Sequence, residues 1–229
     1  MEQLFVGLNV REVQPDKIIE SNNQLLKDLL NEVPEFRKWT YQKFDRPLNL
    51  EKLSEQMARK YIEYFDRTMT SPYRGKYQIT DVLRVENPFL FAQYHLKKTQ
   101  VNFDEILLFH GTLGRNLIPI CTNNFNWRLK GAKKGCRFGQ GVCFSPRSDY
   151  SKHSVEYFHY LNVPELNTEK RGAAMIIANV LTKKKYIGNR FTVVPIDEYD
   201  TTSNMAGTVY VKYQDSEFYP ALILLIKLE

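Results

Sequence analysis

The spacing of apolar residues changes along this 229-residue chain, and that change restricts the folds open to it. Over 16–31, Ile18, Ile19, Leu25, Leu26, Leu29 and Leu30 recur near helical spacing, which predicts a helix closed by Pro34. A second helix is expected over 50–67, with Asn49 as N-cap and Leu53, Met57, Tyr61, Tyr64 and Phe65 on its apolar face. From Tyr77 onward the apolar runs are short. Tyr77–Val85, Ile106–Phe109, Val142–Phe144, Ala173–Leu181, Val209–Tyr213 and Ala221–Leu228 read as strands, with Ile106–Phe109 as a buried one. Short helices are expected over 88–98, where Pro88 takes the first position after Asn87, over Arg115–Cys121, and from Ser148 or Asp149 to about Tyr160. Residues 122–140 read as polar and loop-like, and 182–206 as mostly a long loop. Helices first and strands after, without a βαβ rhythm, make an α+β fold with an antiparallel or mixed sheet. No P-loop or Gly-x-Gly-x-x-Gly pattern supports a nucleotide fold of those kinds.

Composition removes further classes. Charged residues are 25% and hydrophobic residues 43%, as in ordinary globular chains. No apolar run exceeds that of Ala221–Ile226, far short of a membrane span, so no membrane partner is expected. The opening Met1-Glu2-Gln3 carries an acid and no apolar stretch, which predicts no secretory signal. Cys121, Cys136 and Cys143 are odd in number and lack a Cys-x-x-Cys pair. That spacing predicts neither a disulfide scaffold nor a zinc module, and an intracellular protein of nucleus or cytoplasm. His153 and His159 stand six apart on a predicted helix, on poorly aligned faces, and no metal site is expected. The net charge of +6 permits a polyanionic partner.

Several motifs then stand in order. Arg84-Val85-Glu86-Asn87-Pro88-Phe89-Leu90, with Tyr94 and Lys97-Lys98, leads into Leu107-Leu108-Phe109-His110-Gly111-Thr112. The run Ile120–Leu129 follows, then Gly139-Gln140-Gly141-x-x-Phe144-Ser145, Tyr150-Ser151, Val209-Tyr210-Val211 and Tyr219-Pro220. Over about residues 75–229 the chain resembles the catalytic domain of the poly(ADP-ribose) polymerase (PARP) family. It is most similar to the TIPARP-like mono-ADP-ribosyltransferases. The resemblance implies the ADP-ribosyltransferase fold over 35–229, with 1–34 as a helical N-terminal extension. That extension lacks the length of the helical regulatory domain of DNA-dependent relatives, so activation by DNA breaks is not expected.

The same resemblance implies NAD as co-substrate, cleaved between nicotinamide and ribose through an oxocarbenium-like state. His110 would hydrogen-bond the adenosine-side ribose. Backbone groups of Gly111 and the hydroxyl of Ser151 would grip the nicotinamide amide, with Thr112, Arg115, Gly141, Phe144 and Tyr150 completing the NAD-binding set. The three catalytic positions of the family fall on His110, Cys143 and Val209, and a ring that usually flanks nicotinamide falls on Ser154. Val209 cannot accept a hydrogen bond from ribose, which implies single transfer rather than polymer growth. Cys143 and Ser154 remove two stacking rings, worth about 0.5–1.5 kcal/mol per pair. Two readings therefore stay open: a mono-ADP-ribosyltransferase acting on a protein or other acceptor, and an inactive pseudoenzyme of the same fold serving as a binding or scaffold module. The basic stretch 128–137, with Arg128, Lys130, Lys133, Lys134 and Arg137, marks a candidate contact for pyrophosphate, an acidic acceptor or nucleic acid, as does Lys183-Lys184-Lys185.

Overall fold

The computed structural model describes residues 15–70, 75, 77–100, 102–127, 137–151, 172–196 and 198–227. The chain divides into two compact units, Met1–Trp39 and Thr40–Glu229. In the first, helix α1 spans Pro15–Asn31, and a 3-10 turn at Phe36–Lys38 follows, its Phe36 ring against Trp39 with centroids 5.2 Å apart.

The second unit is built on a five-stranded antiparallel sheet. Its strands are β1 (Asn49–Lys52), β2 (Gln78–Glu86), β3 (Asp104–Gly111), β5 (Gly172–Thr182) and β9 (Phe218–Lys227), in the order β1-β2-β9-β5-β3. A second sheet is made of β4 (Val142–Phe144), β6 (Lys185–Ile187), β7 (Thr201–Ser203) and β8 (Tyr210–Lys212), in the order β4-β8-β7-β6. Its β6–β7 pair is parallel and its other pairs antiparallel. The α+β plan with antiparallel and mixed sheets is thus the one found. Both faces of the large sheet are covered. One carries Leu83, Leu108, Phe144, Ile176 and Ile223, and the other Phe65, Phe109, Met175, Ile177 and Leu224. Burial on both faces explains why β5 and β9 read as nearly continuous apolar runs.

Helices α2 (Glu55–Thr68), α3 (Pro88–Gln100) and α4 (Leu117–Asn123) flank this sheet unit. Asn87 joins two of these helices: its Oδ1 accepts from the Leu90 N–H at 3.1 Å, capping α3. Its Nδ2 donates to the carbonyls of Cys121 and Thr122 at the end of α4. No helix among the described residues is long and apolar enough to cross a membrane.

Three expectations are corrected. Asn49 does not cap a helix. It opens β1, pairs with Glu86 across β2 and donates through Nδ2 to the Glu86 carboxylate at 2.8 Å. Helix α2 starts later, with Ser54 as N-cap accepting from the Met57 N–H. Residues 182–206, expected to be mostly one long loop, are so except for two short strands, β6 and β7. Thr201, Thr202 and Ser203 are buried, and the Thr202 hydroxyl donates to the Phe138 carbonyl at 2.6 Å. A strand buried through its hydroxyls leaves no apolar alternation to read. The run Ile106–Phe109 is a strand but not buried throughout: Leu107 is 37% exposed because β3 lies at the sheet edge. The predicted helix after Ser148 begins as a 3-10 turn at Asp149–Ser151, and the rest of that expectation lies outside the described residues.

Candidate functional site

Among the described residues, the two sheets meet at one backbone bridge. The Phe109 N–H donates to the Ser145 carbonyl at 2.7 Å, and the Ser145 N–H donates back at 2.9 Å. Along a strand, the peptide groups of residues i and i+2 point to the same side. Those of Leu107, Phe109 and Gly111 therefore face away from β5. The Leu107 carbonyl fits this parity, because it accepts from the Tyr64 hydroxyl at 2.7 Å. Gly111 thus directs its N–H and carbonyl to the side where β3 meets the segment after β4.

His110 stands between them on the opposite face. Its Nδ1 is 2.9 Å from the Cys143 carbonyl oxygen. A carbonyl can only accept, so Nδ1 carries the proton and Nε2 of the neutral ring presents a lone pair. Burial holds the His110 pKa below its ordinary 6.5, against the opposing pull of that carbonyl. Phe125 and Phe144 hold the ring from its sides, with centroids at 4.9 and 5.6 Å. Phe144 is itself buried among Phe125 and Phe218, so its ring supports His110 from the core.

The glycine-bearing segment packs where side chains cannot. A Cβ on Gly141 would overlap the Lys212 carbonyl of β8, and Gly139 adopts φ +153° beside the Tyr213 hydroxyl. Close approach lets β4 pair with β8, setting Cys143 opposite Val211. The half-buried Cys143 side chain packs on the cluster of Val209, Val211 and Tyr213. Val209 is buried just before β8, its N–H donated to Asn204 Oδ1. The structure therefore joins His110 to Cys143 through the backbone, and Cys143 to Val209 through side-chain packing.

Ser151 reaches the same bridge from the other side. Its hydroxyl donates to the Phe109 carbonyl at 3.2 Å and keeps lone pairs that can accept. Thr112 is buried and accepts from Asn116 Nδ2 at 3.1 Å. Arg115 is exposed on the 3-10 turn Gly114–Asn116, and Tyr150 is exposed. Arg137 is exposed, whereas Arg128, Lys130, Lys133, Lys134, His153, Ser154 and His159 lie outside the described residues. A groove between α2 and β3, lined by Lys60, Tyr61, Tyr64 and Arg67 among others, involves none of these site residues.

Sequence reasoning missed the supporting roles of Phe125 and Ser145, which stand inside its motifs, and missed Arg147 and Thr70 altogether. Phe125 holds the His110 ring, and the other three hold the turn that carries Ser151. Only their partners in space mark them.

Residues 55–217 match the family model of the poly(ADP-ribose) polymerase catalytic domain, over more than half of the chain. The protein mono-ADP-ribosyltransferase PARP12 of Homo sapiens is 27% identical over 187 residues, covering 75% of this chain and 24% of its own. The protein mono-ADP-ribosyltransferase PARP11 of Mus musculus is 24% identical over 220 residues, covering 84% and 64%. The protein mono-ADP-ribosyltransferase PARP10 of Mus musculus is 26% identical over 195 residues, covering 78% and 19%. The chain thus spans about a quarter of the length of the first of these relatives.

Proposed function

This chain belongs to the poly(ADP-ribose) polymerase catalytic domain family, whose domains use NAD as substrate, and from that we propose that it transfers one ADP-ribose from NAD to an acceptor. The bond between nicotinamide and the ribose breaks, nicotinamide leaves neutral, and an acceptor nucleophile closes on the oxocarbenium-like carbon and loses its proton. The catalytic domain is taken as 35–229, with 1–34 as an extension.

Nε2 of neutral His110 accepts from a hydroxyl of the adenosine-side ribose. The Gly111 peptide groups and the Ser151 hydroxyl hold the nicotinamide amide, while Thr112, Arg115, Gly141 and Tyr150 border the dinucleotide. Cys143 and Val209 occupy the other two catalytic positions. Val209 offers a ribose hydroxyl no acceptor, so the product is a single ADP-ribose unit. One observation carries this reading: the His110-Gly111 step and the Ser151 hydroxyl converge on the Phe109–Ser145 bridge. The acceptor is a protein or another nucleophile, the stretch 128–137 takes polyanionic contacts including nucleic acid, and three cysteines without a Cys-x-x-Cys pair support work in the nucleus or cytoplasm.

Titration calorimetry with NAD tests the binding, and labelled NAD with mass analysis tests the transfer. Micromolar NAD binding lost in His110→Ala, together with a single added unit, is the expected result. A folded chain that neither binds NAD nor releases nicotinamide assigns it instead to the scaffold reading that Cys143 and Val209 suggest.

A further inference from the structure

Ser151 is placed by a turn rather than by a strand. It ends the 3-10 segment Asp149–Ser151, and a turn this short fixes little by its own hydrogen bonding. Within the turn, the Ser151 N–H reaches the Ser148 carbonyl at 3.2 Å and the Arg147 N–H reaches the Ser145 hydroxyl at 3.1 Å. What fixes it comes from the last turn of α2 and the two residues beyond. The Ser148 hydroxyl donates to the Phe65 carbonyl at 2.8 Å, and the Thr68 hydroxyl donates to Ser148 Oγ at 3.3 Å.

Asp149 closes the arrangement. Its side chain is 6% exposed, and the Arg147 guanidinium grips both of its oxygens, through Nε at 3.0 Å and Nη2 at 2.6 Å. The Thr70 hydroxyl donates to the same carboxylate and accepts from Arg147 Nη2 at 3.0 Å. A bidentate charge-assisted pair with a third partner is stiff and directional. Phe109, the residue whose carbonyl takes the Ser151 hydroxyl, is clamped by the same helix. The Tyr64 ring stacks on it at 4.8 Å and Phe65 meets it edge-on at 6.2 Å. Donor and acceptor of the Ser151–Phe109 hydrogen bond are thus both referenced to α2.

We propose that Asp149 and Thr70, locked together by Arg147, are positioning residues for nicotinamide recognition: they set where the Ser151 hydroxyl stands and so tie affinity for the amide to the end of α2. The proposal rests on the reading of Ser151 as the group that holds the nicotinamide amide. None of the three touches the adenosine half of NAD in that reading, so their effect is confined to ligands that carry the amide.

The test is calorimetry on the full chain with two probes. Benzamide presents the aromatic amide alone, and ADP-ribose presents the rest of NAD without it. Asp149→Asn and Thr70→Val are expected to weaken benzamide binding about tenfold, the size of loss expected when one hydrogen bond to the amide is misaligned. Thr70→Ser, which restores the hydroxyl, is expected to recover it, and ADP-ribose affinity stays within about twofold throughout. Unchanged benzamide affinity in both variants overturns the proposal while leaving the NAD reading standing. Equal losses for both probes also overturn it, because they report general loosening. A wild-type chain that binds neither probe removes the NAD reading and the proposal with it. If Asp149→Asn does not fold, the Thr70→Val and Thr70→Ser pair decides alone.

Discussion

His110 is useful to a ribose hydroxyl only while Nε2 is unprotonated, and two features keep it so. Burial disfavours the imidazolium, and the Cys143 carbonyl fixes the proton on Nδ1. Folding lowers the pKa from 6.5, so the unfolded chain takes up the proton first as the solution is acidified. The contribution of His110 to stability is therefore complete above about pH 6.5 and is lost as pH falls toward the folded pKa. NAD affinity is expected to be level from about pH 8 to 6.5 and to fall below that, since protonation sets in only below 6.5. A plateau that breaks above 6.5 counts against a neutral, desolvated imidazole at this position. Cys143 makes the second residue-scale prediction. Cys143→Tyr supplies the ring that the resemblance implies beside nicotinamide, and should tighten NAD binding about twofold to tenfold, the equivalent of about 0.5–1.5 kcal/mol. A dissociation constant unmoved by this change denies that nicotinamide lies beside position 143. At this scale the sequence displays the residues proposed to hold NAD, because His110-Gly111-Thr112 and Tyr150-Ser151 are contiguous motifs. It hides those that hold them. Phe125 against His110 and Thr70 against Asp149 are brought together by the fold from distant parts of the chain.

At the scale of elements, the site depends on β4 lying close against β8. Gly141→Ala places a methyl into the Lys212 carbonyl, so either strand must shift. Overpacking of this kind costs about 1–3 kcal/mol, which for a chain of this size lowers Tm by about 2–4 °C per kcal/mol. Thermal unfolding that matches wild type would show that the two strands are not in contact. The neighbouring buried charges explain why this sheet is hard to foresee. Lys212 is fully buried, with Asp200, Thr201 and Glu217 around its ammonium, the Glu217 carboxylate at 2.9 Å. Asp200 is held below the usual carboxylate range despite burial, chiefly by Lys212, whereas desolvation pushes Glu217 above it. A strand such as Thr201–Ser203, buried through hydroxyls beside an ion cluster, carries no apolar signal. The long strands β5 and β9 do carry one, because their unbroken apolar runs stand out in the amino-acid sequence itself. Asn49 marks the boundary between the two cases. Asparagine suits an N-cap, yet Glu86 recruits it: this buried carboxylate also takes the N–H groups of Thr40 and Tyr41.

For the molecule as a whole, the charge of +6 has a concentrated part in 128–137, where five cations stand without an acid between Arg128 and Arg137. If this stretch meets nucleic acid, affinity for a single-stranded RNA should fall about 20- to 50-fold between 50 and 200 mM salt, as about three or four phosphate contacts require. Replacing Lys130, Lys133 and Lys134 by Gln should flatten that dependence, and binding that ignores salt contradicts it. His110, Gly111 and Ser151 gather about the Phe109–Ser145 bridge between the two sheets, and the proposed function has this place cleave NAD once per acceptor. The direct measurement is incubation of the full chain with labelled NAD, followed by intact-mass analysis and nicotinamide release, beside His110→Ala. The expected result is a single ADP-ribose unit with matching nicotinamide release, both absent in the variant. Polymer on the wild type, or equal label on His110→Ala, contradicts it.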